Sequence, residues 1–284
     1  LTTRLLRRIF DFFIFSSLFI AVCAVLMAWQ TYLLFDRPVS ARLLWFIFFG
    51  TLTSYSFHWF LTPPRQEQQS VRLKWTITNK DIHLGLFLLG GLGAAVFFFL
   101  LYDYWLWLGL SMLLAFLYSA PKIPHPIFHF LRRIAIGKTI FLSFAWMLVT
   151  ALLPLMIPDE SIDQMGWVFM ANRFFFIYAI CILFDYRDRP DDKAAGIRSL
   201  ITILDEKGID RLFGLSMFIF ALTLLWMLQS FSWMIIGALL LPGLILAFLY
   251  GPSKRNFSDY HYYFVLDGLM MLSAPLVILI KFAR

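Results

Sequence analysis

An all-α, polytopic membrane protein, one helical domain over residues 1–284, is the fold class the sequence predicts, and three observations predict it. Of the 284 residues, 61% are hydrophobic and only 14% charged, whereas soluble domains carry about a quarter charged residues. Mean hydropathy is +0.78, and apolar runs recur at lengths able to cross roughly 30 Å of hydrocarbon. The basic residues fall unevenly between those runs, in the alternating way that membrane topology demands.

About nine transmembrane helices follow from the apolar runs, at approximately 10–34, 41–61, 84–101, 104–120, 138–157, 166–184, 212–228, 231–250 and 262–282. A count of eight is also compatible, because only Tyr102 and Asp103 divide the third run from the fourth. The first run is too long for a cleaved secretory core and lacks a small-x-small site. Pro63 and Pro64 stop the second. Trp29, Trp45, Trp59, Trp105 and Trp167 lie near run ends, where an amphipathic ring suits either the headgroup layer or helix packing. Cys23 and Cys181 lie inside apolar runs without metal-ligand spacing and read as small buried residues. No tandem repeat or low-complexity linker interrupts the chain.

Charge orients the bundle. With the N-terminus in the cytoplasm, the inward segments hold 19 of the 24 basic residues, and Arg37, Arg42, Lys281 and Arg284 face outward, with Arg173 inside a run. This bias predicts an odd helix count and a working face on the cytoplasmic side of a bacterial inner membrane. It also accounts for the net charge of +7 without nucleic acid. The longest clear polar loop is 62–83, whose RLKW portion is a candidate for lying on anionic lipid.

The chemically informative stretch is FDYRDRPDDKAAGIRSL, residues 184–200. Asp185, Asp188 and Asp192 have i, i+3, i+7 spacing and would share one helical face, although Pro190 should disrupt or kink that helix. Crowded carboxylates at the end of an apolar helix call for a cation, and Mg²⁺ takes such oxygen-rich sites, often with phosphate oxygens. A solvated loop neutralised by Arg187, Arg189 and Lys193 is the plainer reading of the same spacing. Asp267-Gly268, within the last run, and Asn172-Arg173, more than three turns before Asp185, are further polar groups inside apolar runs, where charge is costly.

The pattern Asp185-x-x-Asp188-x-x-x-Asp192-x-x-x-Gly196-x-x-Ser199, with Tyr118-Ser119-x-Pro121 after the fourth run, resembles the second aspartate-rich motif and its companion element in the UbiA superfamily of intramembrane prenyltransferases. The resemblance implies a UbiA-like bundle in which Asp185, Asp188 and Asp192 hold Mg²⁺ and act catalytically. It implies an isoprenyl diphosphate as donor and an aromatic or other lipophilic acceptor in the membrane, with membrane lipids as further partners. The family's first aspartate-rich motif, on helix two, is degenerate here. Ser54, Tyr55, His58 and Thr62 occupy its spacing with no carboxylate. Tyr55 and His58 are then candidate ligand contacts, with Arg132, Arg133, Lys138 and Arg198 as electrostatic support for a phosphate-bearing ligand. A noncatalytic protein keeping the fold and a lipid or phosphate site is the alternative. A phosphatidyl-type alcohol transferase fits less well, because Asp188 is followed by Arg189-Pro190 rather than Gly, and a transporter lacks paired inverted motifs.

Overall fold

The computed structural model describes residues 2–62, 70–123, 138–157, 161–194, 196 and 199–283. All regular structure in them is helical. The elements are α1 (Thr2–Phe15), α2 (Leu18–Leu34), α3 (Ala41–Phe60), α4 (Val71–Thr78), α5 (Lys80–Leu100), α6 (Trp105–Ser119), α7 (Lys138–Met147), α8 (Gln164–Ala194), α9 (Glu206–Met227), α10 (Trp233–Ser253) and α11 (Asp267–Phe282). α7 continues through Leu148–Leu152 and Leu153–Met156, and a wide turn over His261–Leu266 leads into α11.

A helix lies at each of the nine expected apolar runs. Six of the described helices are long and apolar enough to cross a membrane, or seven if the pair α1 and α2, bent by 60°, is one span. The chain is therefore a polytopic membrane protein with six to seven clear spans. α6, at 15 residues, and α3 fall outside that set.

Local chemistry explains most ends. Ser40, Ser70 and Asp205 cap α3, α4 and α9 by accepting from the amides of Leu43, Leu73 and Gly208 at 3.3, 3.1 and 2.7 Å, which satisfies otherwise orphaned N–H groups. The α1–α2 break falls at Ser16-Ser17, where Ser17 takes φ 72°, a left-handed conformation that no helix continues through. In α7 the ring of Pro154 removes the bond that would reach Thr150. The helix widens there, and the Thr150 carbonyl instead accepts from Thr31 Oγ1 at 2.6 Å.

Neighbouring helices close a ring: α2 packs on α3, α3 on α6, α6 on α7, α7 on α8, and onward through α9, α10 and α11 back to α2. α5 stands outside, against α3. The approach is close because Gly90 and Gly93 face α3. A Cβ on Gly90 would meet Thr53 Oγ1 at 2.5 Å and backbone atoms of Thr53 and Phe49 at 3.0 and 3.1 Å. Small residues at such spacing let helices pack without a hydrophobic drive between them. The opposite face of α5 carries exposed Leu92 and Phe99, as a lipid-facing surface should.

Two expectations are corrected. The segment 62–83 is not wholly loop: α4 forms within it, and α5 begins at Lys80. Nor is RLKW wholly available to a lipid surface, because Arg72 and Leu73 are buried in the protein while Lys74 is exposed. Pro190 does not break its helix either. α8 runs unbroken to Ala194, because one missing bond near a helix end is tolerated when the turns before it are packed.

Candidate functional site

Because α8 continues past Leu183, Asp185, Asp188 and Asp192 do share a helical face. Asp185 and Asp192 are buried, and Asp188 is 41% exposed. Thr139, on the first turn of α7, donates a hydrogen bond to Asp185. Asp188 accepts from Arg187 Nε at 2.9 Å, and Arg187 Nη2 donates to the Tyr263 hydroxyl at 2.7 Å. The neighbouring Arg189 is taken up structurally, donating to Glu206 and to the Leu204 carbonyl, both at 2.6 Å.

Tyr263 is the centre of a cationic cluster. The Arg72 guanidinium stacks between it and Trp59, with centroids 3.9 and 4.1 Å away, and Arg187 lies 4.8 Å from the same tyrosine ring. Burial pushes Arg72 below its ordinary pKa; Tyr263, Asp267 and Asp259 oppose that shift, and Arg187 adds to it. Ser70 and the Arg72 amide both donate to the Asp259 carboxylate, which fixes α4 over this end of the bundle.

The polar stripe on α3 joins the cluster from its other side. Lys122 Nζ lies 2.7 Å from both His58 Nε2 and Thr62 Oγ1. An ammonium can only donate, so Nε2 supplies its lone pair and the Nδ1 proton faces Ser119 Oγ at 3.3 Å. The imidazole stacks on Tyr118, centroids 5.0 Å apart. Lys122 also lies 5.6 Å from the Trp59 ring. Tyr55 accepts from Trp146 Nε1 at 3.2 Å and interacts electrostatically with Asp267 and Cys181. His58 is one turn beyond Tyr55 and Asp185 one turn beyond Cys181 on helices running the same way, so stripe and acidic face stand at one level. Beside Tyr55 and Tyr118 a cavity of about 90 Å³, lined also by Ser54, Ala145 and Trp146 among mainly apolar neighbours, lies between α2, α3, α6 and α7.

The two sides differ in their fitness for a metal. The α8 face offers carboxylate oxygens, the donors a hard cation takes. Among the described residues no three His, Cys, Asp or Glu side chains form a group able to hold an ion by themselves, so an ion on this face would share its shell with ligand oxygens. The α3 side does not fit one. The His58 lone pair is engaged by an ammonium, and a divalent ion there would meet a like charge.

Of the residues expected at the site, Tyr55, His58, Asp185, Asp188 and Asp192 come to this one end. Arg132, Arg133 and Arg198 lie outside the described residues, as does the side chain of Lys138, which opens α7. Sequence reasoning missed Lys122, Thr139, Tyr263 and the burial of Arg72 and Arg187. The available signals were the position of Lys122 directly after Tyr118-Ser119-x-Pro121 and the amphipathic spacing inside RLKW.

No curated protein and no solved structure matches the chain. The model of the UbiA prenyltransferase family matches residues 74–259, well over half of the chain and inclusive of α5 to α10 with the acidic face. With that match the chain belongs to the UbiA prenyltransferase family.

Proposed function

We propose that the protein transfers an isoprenyl group from an isoprenyl diphosphate to an aromatic or other lipophilic acceptor within the membrane. The observation that carries this reading is the contiguous run of contacts from Asp188 through Arg187, Tyr263, Arg72 and Trp59 to Lys122, whose partner His58 stacks on Tyr118 in the wall of an apolar cavity. A diphosphate needs cations, its hydrocarbon tail needs a dry slot, and an allylic cation needs exclusion of water.

On this reading Asp185, Asp188 and Asp192 would hold Mg²⁺, which when bound offsets the charge that develops on the leaving diphosphate. Thr139 orients Asp185, and Arg187 orients Asp188. Lys122 supplies from the α3 side a fixed positive charge toward the diphosphate, held in place by His58 and Thr62. Tyr55, Tyr118 and Trp146 wall the cavity, where their ring faces stabilise positive charge on the departing prenyl carbon. The reading includes nine spans, with α3 and α6 crossing the membrane, and a cytoplasmic N-terminus and charged end; the basic-residue bias supports both.

A noncatalytic relative that binds the same ligands is the second reading, favoured by the absence of any carboxylate on the α3 stripe. The test is a turnover and binding screen with isoprenyl diphosphates, using purified protein in lipid nanodiscs, native and Asp188→Asn. Mg²⁺-dependent binding weakened by the substitution, with turnover on any acceptor, is expected. Equal binding with and without Mg²⁺ would reject the metal-bridged site, and binding without turnover across a broad acceptor panel would select the noncatalytic reading.

A further inference from the structure

Far from the charged end, a buried arginine forms no ion pair among the described residues. Arg173 is nine residues into α8, about 14 Å along a helix of about 46 Å, and only 5% of it is exposed. Its Nη2 donates to Gln30 Oε1 at 2.8 Å, and Gln30 Nε2 donates to Ser273 Oγ at 2.8 Å, tying α8 to α2 and α11. The guanidinium also sits 4.9 Å from the Phe169 ring. These partners are all neutral. A charge taken out of water this way costs several kcal/mol unless another charge answers it.

Arg173, Gln30, Asn172 and Ser273 line a cavity of about 10 Å³, room for one water-sized particle. The hydrogen-bonding sense of that lining discriminates between occupants. Gln30 Oε1 already accepts from Arg173. Asn172 Nδ2 is committed to the Phe220 carbonyl and Thr223 Oγ1 at 3.0 and 2.9 Å, and Ser273 Oγ accepts from Gln30 while keeping its own proton to give. The remaining guanidinium donors and this hydroxyl outnumber the lining side-chain acceptor sites, which are Asn172 Oδ1 and one further lone pair each on Gln30 Oε1 and Ser273 Oγ. A water molecule there must place two protons of its own, whereas an anion places none.

We infer that this cavity is a monatomic anion site, occupied by chloride, in which Arg173 supplies the charge and Ser273 a further donor. The site belongs to the bundle's interior, is separate from the proposed prenyl-transfer site, and does not depend on it. Crystals grown in bromide in place of chloride test it directly: an anomalous peak against the Arg173 guanidinium is expected. Purified protein should also melt about 2–4 °C higher in chloride than in gluconate at equal ionic strength, the shift a stabilisation of roughly 1 kcal/mol gives a chain near this size, and Arg173→Gln should abolish that difference. A map with no bromide at Arg173 overturns the assignment, as does a chloride-dependent shift that survives Arg173→Gln. Should the variant fail to fold, the bromide map on the native protein decides.

Discussion

Replacing Lys122 with Met tests whether a side chain has taken over the cationic role on the α3 side. The native ammonium makes two contacts of 2.7 Å, to His58 Nε2 and Thr62 Oγ1. Hydrogen bonds to a charged group contribute about 1.5–3 kcal/mol each, but a half-buried lysine also sheds its own desolvation cost on removal. The net loss of stability should therefore stay near 1–3 kcal/mol and leave a folded protein. The effect on ligand is larger in proportion. One unit charge about 4 Å from a phosphate oxygen at an effective dielectric of about 20 is worth roughly 4 kcal/mol, before screening and water replacement reduce it. Affinity for inorganic pyrophosphate in Mg²⁺ should fall about 10- to 500-fold in Lys122→Met, at 1.4 kcal/mol per decade, and largely recover in Lys122→Arg. Titration calorimetry in nanodiscs reads the affinity, and a thermal melt checks folding. A folded Lys122→Met protein that binds pyrophosphate within twofold of native would refute the role assigned to this lysine.

Three further outcomes follow from the same geometry. Lys193→Cys is exposed at the end of α8, while the native Cys23 and Cys181 are buried; an impermeant maleimide should label position 193 only from the cytoplasmic side, and labelling from outside would invert the topology. Ala145→Phe fills part of the cavity and should depress binding of isoprenyl diphosphates while leaving inorganic pyrophosphate affinity within about threefold, since no polar group changes; equal losses for both ligands would show that the cavity does not hold the chain. Gly90→Ala puts a methyl group against backbone atoms of α3 and should cost about 1–3 kcal/mol, lowering the melting temperature by several degrees. An unchanged melting curve would mean that α5 is not seated on α3 as described.

The apolar runs were readable because crossing hydrocarbon imposes a length and a composition that no other constraint imitates. The acidic face was readable because its three members lie within two turns of one another. Other parts depended on partners remote in the chain. Lys122 finds His58 64 residues away, and nothing near either residue announces the pairing. Arg72 looked like a surface base because an arginine between polar neighbours usually is one, and only the rings of Trp59 and Tyr263, brought in from α3 and from the turn before α11, make its burial affordable. Pro190 misled for a different reason. Local preference argued for a break, but the well-packed turns of α8 before it outweighed one lost backbone bond. The left-handed Ser17 likewise carries no local signature, since serine has no special tolerance for that conformation.

The shortness of α6 has a consequence for the surrounding lipid. Its 15 residues rise about 22 Å, and the single tight turns at Tyr102–Tyr104 and Ala120–Lys122 extend it by about 6 Å each. The 21 residues of α5 rise about 31 Å and match an average bilayer unaided. With both turns α6 reaches about 34 Å, no less than α5, so it is the turns that bring this helix to the length of a span. α6 also contributes Ser111, Ala115 and Tyr118 to the apolar cavity. With α6 as a span, a change of bilayer thickness would be taken up at these two turns, at either end of the helix that walls the cavity.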